Sequence, residues 1–236
     1  MGDTVKNYRL PIKRLTLPSV GSGAAAIWLA GPTGPGGVPE HLWNGLSDDE
    51  KDRANRLFHA RDRNLFAMTR AVLRTLMSEA TSIPATSITF AEGPYGKPCL
   101  AGIAGPQFNV SHSGSWALIG LSDSRPIGVD IEFERNAGGE LDLARTFFSD
   151  AEYRALEGLE GGALLQSFYK IWTCKEAVLK ALGAGISEHL KAFSVEWTGG
   201  RYAIVAEHKR SLPLLASVVA NPVEVPGGYA GCYALA

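Results

Sequence analysis

The sequence predicts an α+β protein whose two halves meet near residues 122–126. A strand, a long helix and several strands precede that segment, and helices followed by short strands come after it. Helices and strands that are grouped in this way, rather than alternating regularly, indicate an α+β layout. The chain has 236 residues, 45% of them hydrophobic, which is enough to bury a sizeable core.

The first half is predicted from an apolar run and a long helical block. Residues 24–31 are apolar and lead into a Gly/Pro-rich turn, which favours a strand. The block that begins at Ser47 has acidic residues in its first turn and apolar residues at three- and four-residue steps, as an amphipathic helix requires. We expect this helix to bend or break near residues 59–62.

The middle of the chain is predicted to hold further strands and helices. Ser149 and Glu152 have the spacing of a capping box. Gly199 and Gly200 separate two β-rich segments and predict a hairpin turn. Hydrophobic periodicity places strands at residues 108–111, 116–121 and 127–133, and helices at residues 141–147, 149–159 and 163–182.

Composition limits the classes of function. A net charge of -1, from 23 Lys and Arg against 24 Asp and Glu, gives no overall field toward nucleic acid or membrane. The three cysteines, Cys99, Cys174 and Cys232, form no CxxC pair, which favours a reduced, cytoplasmic compartment. No segment approaches the roughly 20 apolar residues that a membrane span needs.

Between Arg53 and Arg74 the chain carries an unusual excess of arginine. One interpretation is a solvated helix face, and the other is an anion-binding face. Only Asp62 opposes the six arginines of this stretch, which are Arg53, Arg56, Arg61, Arg63, Arg70 and Arg74.

Three carboxylates form the strongest chemical pattern. In a strand at residues 127–133, Asp130 and Glu132 point to one side, where they would repel each other unless a cation lies beside them. A solvent-facing strand is the alternative. A third acid, Glu176, shares a helix stripe with Trp172 and Lys180, although Glu176 and Lys180 could form a simple helix ion pair.

Carboxylates without His or Cys partners favour Mg²⁺, which keeps open positions for substrate phosphates. His112, between two serines and before Gly114, is a further candidate for the site. The chain has no GxSxG motif, no GxxxxGK[ST] motif and no strand-linked GxGxxG motif.

The chain resembles the surfactin-synthetase-activating type of 4'-phosphopantetheinyl transferase. The resemblance covers residues 46–187, and "GVDIE" followed by "WTCKEAVLK" is its most specific part. The motifs that carry it are "RANRLFHARDR", "YGKPCL", "FNVSHSG", "IGVDIE", "RTFFSDAEY" and "FYKIWTCKEAVLKALGAGIS".

The resemblance implies two similar α/β halves, residues 1–124 and 125–236, with the active site in the cleft between them. It implies Mg²⁺-dependent transfer of the phosphopantetheine arm of coenzyme A to a serine of an acyl or peptidyl carrier protein, by a monomer. The implied site consists of the metal ligands Asp130, Glu132 and Glu176, the catalytic residues Glu176, Lys180 and His112, and the coenzyme A contacts Arg53, Lys97, Ser111, His112 and Lys180.

The chain departs from the family pattern at Glu50, where relatives often carry a basic residue. We therefore expect Lys51 or Arg56 to supply the upstream phosphate contact. Arg145 and the helix after it are expected to dock the acidic carrier protein. The alternative functions are a non-catalytic coenzyme A-binding module and Mg²⁺-dependent hydrolysis of a pyrophosphate.

Overall fold

The described part of the chain forms two larger antiparallel sheets, each covered by a long helix, and a small two-stranded sheet. The computed structural model describes residues 12–17, 25–34, 36–93, 96–185, 189–206, 212 and 214–236. The helices of these residues are α1 (Glu40–Asn44), α2 (Asp48–Asn55), α3 (Ala60–Thr81), α4 (Glu140–Phe147), α5 (Asp150–Glu157) and α6 (Gly161–Leu182). The strands are β1 (Ile12–Arg14), β2 (Ala25–Ala30), β3 (Phe90–Glu92), β4 (Pro98–Leu100), β5 (Gln107–Ser113), β6 (Trp116–Ser122), β7 (Ile127–Phe133), β8 (Phe193–Thr198), β9 (Arg201–Ala206), β10 (Val219–Pro222) and β11 (Tyr229–Leu235).

The first sheet has the strand order β1-β2-β6-β5, and its neighbouring strands are antiparallel. Helix α3 packs against it through a stripe of apolar residues, among them Val72, Leu73 and Met77, which share a core with Phe108 and Ile119. The 3.6-residue period of that stripe keeps it on the face that meets the sheet. Strands β3 and β4 form a separate hairpin.

The second sheet has the order β7-β11-β10-β9-β8. Helix α6 packs on β7 and β11, and its close approach depends on Gly128. A Cβ atom at position 128 would collide with the backbone of Ala177 and Ala181 in α6. The glycine therefore brings the helix that carries Glu176 directly onto the strand that carries Asp130 and Glu132.

The sheets meet where β5, an edge of the first, faces β7, an edge of the second. The contact between these two strands includes side chains of β5 that accept hydrogen bonds from backbone N–H groups of β7. These acceptors satisfy backbone groups that would otherwise be buried and unpaired. The three bonds join Val129 N to Asn109 Oδ1 (2.9 Å), Ile131 N to Ser111 Oγ (3.4 Å) and Phe133 N to Ser113 Oγ (3.1 Å).

The other face of β7 closes the core between the sheets. Val129 and Ile131 have no exposed surface and pack with Ile27, Leu118 and Tyr233. The predicted alternation is thus confirmed, with apolar residues on one side of β7 and carboxylates on the other. The solvent-facing interpretation of Asp130 is wrong, since that residue is only 1% exposed.

Most elements agree with the sequence predictions. The α+β class, the strands at 116–121 and 127–133 and the hairpin at Gly199 and Gly200 are confirmed. The capping box is confirmed by a 3.2 Å bond from Glu152 N to Ser149 Oγ and a 2.8 Å bond from Ser149 N to the Glu152 carboxylate. The helical block divides into α2 and α3, close to the expected break.

The first sheet ends at Ser122 and the second begins at Ile127. Residues 1–11 of the expected first half, residue 24 of the expected first strand and residues 186–187 of the resemblance lie outside the described residues. The division of the chain into residues 1–124 and 125–236 stays a prediction. None of the helices in the described ranges is long and apolar enough to cross a membrane.

Glu50 ties three segments of the first half together. Its carboxylate, 3% exposed, accepts a hydrogen bond from Ser47 N at 3.1 Å and forms ion pairs with Arg70 and Arg74 of α3, each at 2.7 Å. Arg74 Nη1 donates in turn to the carbonyls of Ala85 and Ile88. Burial opposes ionisation of Glu50, but the two arginines outweigh it and lower the pKa of Glu50.

Gly128→Ala is expected to lower the free energy of unfolding by about 3 kcal/mol or more, because the added methyl group meets helix backbone that cannot rotate away. Urea denaturation measures the change. Gly158→Ala is the control, since a Cβ there meets nothing within 4 Å. Equal stability of the two variants would contradict the close packing of α6 on β7.

Glu50→Gln is expected to lower the free energy of unfolding by about 3 kcal/mol at pH 7, because the arginines lose their buried counter-charge. The folded-state pKa of Glu50 lies below its ordinary value of 4.5, so its contribution exists above that pH and is lost as pH falls through the folded pKa. The difference from the unmodified protein should therefore shrink below about pH 4.5.

Urea denaturation at several pH values tests this dependence. Glu79→Gln, a surface change on α3, serves as the control and should shift stability by less than about 0.5 kcal/mol. A Glu50→Gln penalty that stays constant from pH 7 to pH 3 would rule out an ionised Glu50 as its source.

Candidate active site

Asp130 and Glu176 contact the ammonium group of Lys180, and Glu132 lies close enough to interact with all three charges. The Lys180 Nζ atom lies 2.5 Å from Asp130 Oδ1 and 3.2 Å from Glu176 Oε2. Strand β7 supplies the first two carboxylates on one face, and α6 supplies Glu176 and Lys180 one turn apart. The predicted ion pair of Glu176 and Lys180 is present, as part of a larger group of charges.

The three carboxylates carry more negative charge than Lys180 neutralises. Burial, followed by the charge of Asp130, raises the pKa of Glu132 to about 7. Burial and Asp130 also raise the pKa of Glu176, against the opposing effect of Lys180. Burial opposes the charge of Lys180, but Asp130 and Glu176 outweigh it and raise the Lys180 pKa. The group is therefore suited to an additional cation.

Two serines of β5 orient the carboxylates of β7. Ser111 Oγ donates to Asp130 Oδ1 at 2.8 Å, and Ser113 Oγ donates to Glu132 Oε2 at 2.8 Å. Each hydroxyl also accepts the backbone N–H of the residue that follows the carboxylate. One serine thus fixes both the strand and its acid, which limits the directions in which the carboxylate can turn.

The donor set fits a hard divalent cation. Carboxylate oxygens are preferred ligands of Mg²⁺, and Asp130 Oδ2 is buried without a hydrogen-bond partner among the described residues. In the described ranges no three carboxylate, imidazole or thiol side chains already converge as a metal cluster. Asp130 and Glu176 contact Lys180 instead, so a bound cation would share or take over its contact with Asp130.

A cavity of about 540 Å³, here called the arginine cavity, opens on the other side of β5. Val110 and His112 of β5 line it, while Asn109, Ser111 and Ser113 face β7. Helices α2 and α3 and residues 86–92 supply most of the remaining wall. Its charged residues are Asp49, Glu50, Arg53, Arg70, Arg74, Glu92 and His112.

The structure divides the expected coenzyme A contacts into two groups. Arg53 and His112 line the arginine cavity, whereas Ser111 and Lys180 belong to the carboxylate group. Lys97 does neither, because its Nζ atom donates to the carbonyls of Ile127 at 3.1 Å and Lys180 at 2.6 Å. Burial lowers the pKa of Lys97.

The arginine-rich stretch combines both interpretations made from the sequence. Arg53, Arg70 and Arg74 line the cavity, while Arg56 and Arg61 are exposed. The stretch therefore supplies both arginines of the cavity wall and arginines of the solvent-exposed surface. Sequence reasoning missed the role of Glu50, although the spacing Ser47 to Glu50 is that of a capping box.

Sequence reasoning also missed the positioning role of Ser113 and Asn109. A signal was available, since polar residues at 109, 111 and 113 alternate with the residues that line the cavity. A larger, mostly apolar cavity of about 670 Å³ lies under α5 and the first half of α6. Glu134, two residues beyond Glu132, is part of its wall.

Comparison with known proteins connects this site to a family. A family model described as "4'-phosphopantetheinyl transferase superfamily" matches residues 126–234. A second, described as "4'-phosphopantetheinyl transferase, N-terminal", matches residues 40–123. Together these regions contain the carboxylate group and the arginine cavity.

Three relatives match over much of their length. A protein of Synechocystis, whose name assigns it provisionally to the 4'-phosphopantetheinyl transferases, is 37% identical over 75% of this chain and 75% of its own. The 4'-phosphopantetheinyl transferase Sfp of Bacillus subtilis is 32% identical over 66% of this chain and 68% of its own. The 4'-phosphopantetheinyl transferase gsp of Aneurinibacillus migulanus is 28% identical over 75% of this chain and 74% of its own.

The two family models meet at the junction of the two sheets, and the relatives bear one name. The resemblance found in the sequence motifs is confirmed. The chain belongs to the 4'-phosphopantetheinyl transferase superfamily and is an enzyme of the surfactin-activating type.

Proposed function

We propose that the protein transfers the 4'-phosphopantetheine arm of coenzyme A to a serine of an acyl or peptidyl carrier protein, with release of 3',5'-ADP and dependence on Mg²⁺. The observation that carries this proposal is the group of three carboxylates around Lys180, beside a cavity lined by arginines. A carboxylate centre suits a magnesium pyrophosphate, and the arginine cavity suits the phosphate-bearing adenosine end.

Asp130, Glu132 and Glu176 would hold the Mg²⁺ ion. When bound, the ion supplies Lewis-acid polarisation of the pyrophosphate and neutralises charge on the departing group. Ser111 and Ser113 keep two of the ligands oriented through their hydrogen bonds. Lys180 exchanges its contact with Asp130 for a phosphate oxygen, to which it donates a charge-assisted hydrogen bond.

In the reaction, the hydroxyl oxygen of the carrier serine attacks the β-phosphorus of coenzyme A. A bond forms between that oxygen and phosphorus, and the bond from phosphorus to the bridging oxygen breaks, which releases 3',5'-ADP. Glu176, directly or through a water molecule, takes the serine proton. Lys180 stabilises the oxygens that gain charge. His112 lies on the arginine-cavity side of β5, so its predicted contact with coenzyme A is assigned to a phosphate bound there.

A second cavity is available for the uncharged pantetheine arm of coenzyme A. The 670 Å³ cavity is mostly apolar, and its wall includes Tyr229 and Glu134, which lies two residues after Glu132 in the chain. We assign this cavity to the arm, since an apolar wall with few polar groups suits such a chain. Docking of the carrier through Arg145 of α4, the cytoplasmic location and the monomeric state stay predictions.

The transfer proposal predicts that an apo carrier protein gains the mass of one phosphopantetheinyl group when incubated with the enzyme, coenzyme A and Mg²⁺. Asp130→Asn is expected to lower the rate about 100-fold or more, because the metal contribution to transition-state stabilisation amounts to several kcal/mol. Intact-protein mass spectrometry measures the transfer. Asp123→Asn, an exposed change in the loop after β6, should leave the rate unchanged.

The outcome also separates the alternatives. Coenzyme A binding without modification of several diverse carriers would favour a non-catalytic binding module. Formation of 3',5'-ADP without carrier modification would favour hydrolysis.

Ser113→Ala is expected to weaken Mg²⁺ binding about tenfold, because Glu132 loses the hydroxyl that orients it. Calorimetric titration of Mg²⁺ into the protein with coenzyme A measures binding independently of turnover. Ser115→Ala, two residues further along the chain, is the control, since the hydrogen bond of Ser115 joins its backbone N–H to the Tyr229 hydroxyl. Unchanged Mg²⁺ affinity in a folded Ser113→Ala variant would contradict the role of Ser113.

A further inference from the structure

The arginine cavity contains a cation whose role neither the sequence motifs nor the family match assigns. Glu50 stands where a basic residue was expected, and the two suggested replacements do not reach the cavity. Lys51 lies 3.6 Å from Asp48 on the surface of α2, and Arg56 is exposed at the end of that helix. Neither residue is part of the cavity wall. The expectation that Lys51 or Arg56 supplies the upstream contact is therefore not supported.

Arg74 lines the cavity, but its hydrogen-bond donors are already used by groups of the protein itself. Only 3% of its side chain is exposed. Its Nε atom donates to Glu50, and its Nη1 atom donates to two backbone carbonyls, at 2.7 Å and 2.9 Å. A ligand could engage Arg74 only by breaking bonds that join α3 to the segment at residues 85–88.

Arg70, one turn before Arg74, is held differently. Its Nε atom donates to Oε1 of Glu50 at 2.8 Å, and its Nη2 atom forms an ion pair with the same oxygen at 2.7 Å. The guanidinium lies over the Phe90 ring, with its central carbon 4.3 Å from the ring centroid. The described residues give Nη1 no hydrogen-bond partner, and 19% of the side chain is exposed. Glu50 and Phe90 thus hold Arg70 in place, while its Nη1 atom can still donate hydrogen bonds to a ligand.

Arg70 lies close to two other arginines of the cavity wall, Arg74 and Arg53, although Asp49, Glu50 and Glu92 balance the three charges over the wall as a whole. Glu50 carries one negative charge against the two positive charges of Arg70 and Arg74. Arg53 projects from α2 over the Phe66 ring, 5.2 Å from its centroid. Burial lowers the pKa of Arg70, and the charges of Arg74 and Arg53 lower it further, against the effect of Glu50. A bound anion would relieve this repulsion.

We propose that Arg70 binds the ribose 3'-phosphate of coenzyme A and that Glu50 positions its guanidinium for this contact. The inference rests on the proposed function, which makes coenzyme A the donor. The carboxylate group engages the pyrophosphate, so the phosphate that reaches the arginine cavity is the one on the ribose. Arg70 of α3 then supplies the positive charge that a basic residue at position 50 of α2 would have supplied.

The test compares the binding of coenzyme A and 3'-dephospho-coenzyme A, which differ only in that phosphate. Calorimetry on the unmodified protein should show tighter binding of coenzyme A. Arg70→Gln is expected to weaken coenzyme A binding about 10- to 100-fold, the size of a charge-assisted contact, and to leave dephospho-coenzyme A binding nearly unchanged. Arg56→Gln is the matched control and should preserve the preference.

Two further variants distinguish loss of the phosphate contact from a folding defect. Arg70→Lys keeps the charge beside Glu50 but loses the planar fork, and it should retain part of the preference for coenzyme A. Glu50→Gln should reduce the preference without changing dephospho-coenzyme A binding, provided that its melting transition lies above the assay temperature. A merely structural role of Glu50 would weaken both ligands alike.

The outcomes decide between this inference and the proposed function. The inference is overturned if the unmodified protein has no preference, or if Arg70→Gln weakens both ligands equally or neither. If Arg70→Gln abolishes the preference but no carrier is modified, the proposed function fails and the assignment of Arg70 stands. If carriers are modified and Arg70→Gln keeps the preference, only the assignment fails.

Discussion

The contact between β5 and β7 is the interaction on which the rest of the structure depends. Three side chains of β5 accept backbone N–H groups of β7 at the boundary between the two sheets. A serine at this boundary has a hydroxyl hydrogen left over after it accepts the N–H group, and Ser111 and Ser113 direct it at Asp130 and Glu132. The serine hydroxyls that join the two sheets are therefore also the groups that orient Asp130 and Glu132.

Burying like charges on one strand requires compensation, and α6 provides it. Gly128 allows the helix to approach β7, and this approach brings Lys180 between Asp130 and Glu176. Removal of Lys180 would leave the carboxylates uncompensated in a buried setting, where the cost is several kcal/mol. Packing and electrostatics are coupled here, because the close approach of α6 at Gly128 also brings the Lys180 ammonium group to the carboxylates.

Much of this arrangement follows from the sequence, and the reasons for the exceptions are physical. The alternation in "GVDIE" places Asp130 and Glu132 on one face, and helical spacing aligns Glu176 with Lys180, so local periodicity predicts the carboxylates. Local periodicity carries no information about partners distant in the chain. The bonds of Lys97 to carbonyls 30 and 83 residues away could not be read from it. The same limit hid the ion pairs of Glu50, which lie 20 and 24 residues along the chain.

Strand β5 also separates the carboxylate group from the arginine cavity, which lie on its two opposite sides. Successive side chains alternate between the carboxylates and the arginine cavity, as Ser111, His112 and Ser113 show. A strand paired along one edge and bonded along the other cannot widen or narrow this gap as a loop could. In the proposed binding mode, a donor whose charged groups lie closer together or farther apart than those of coenzyme A would contact one side of β5 and miss the other.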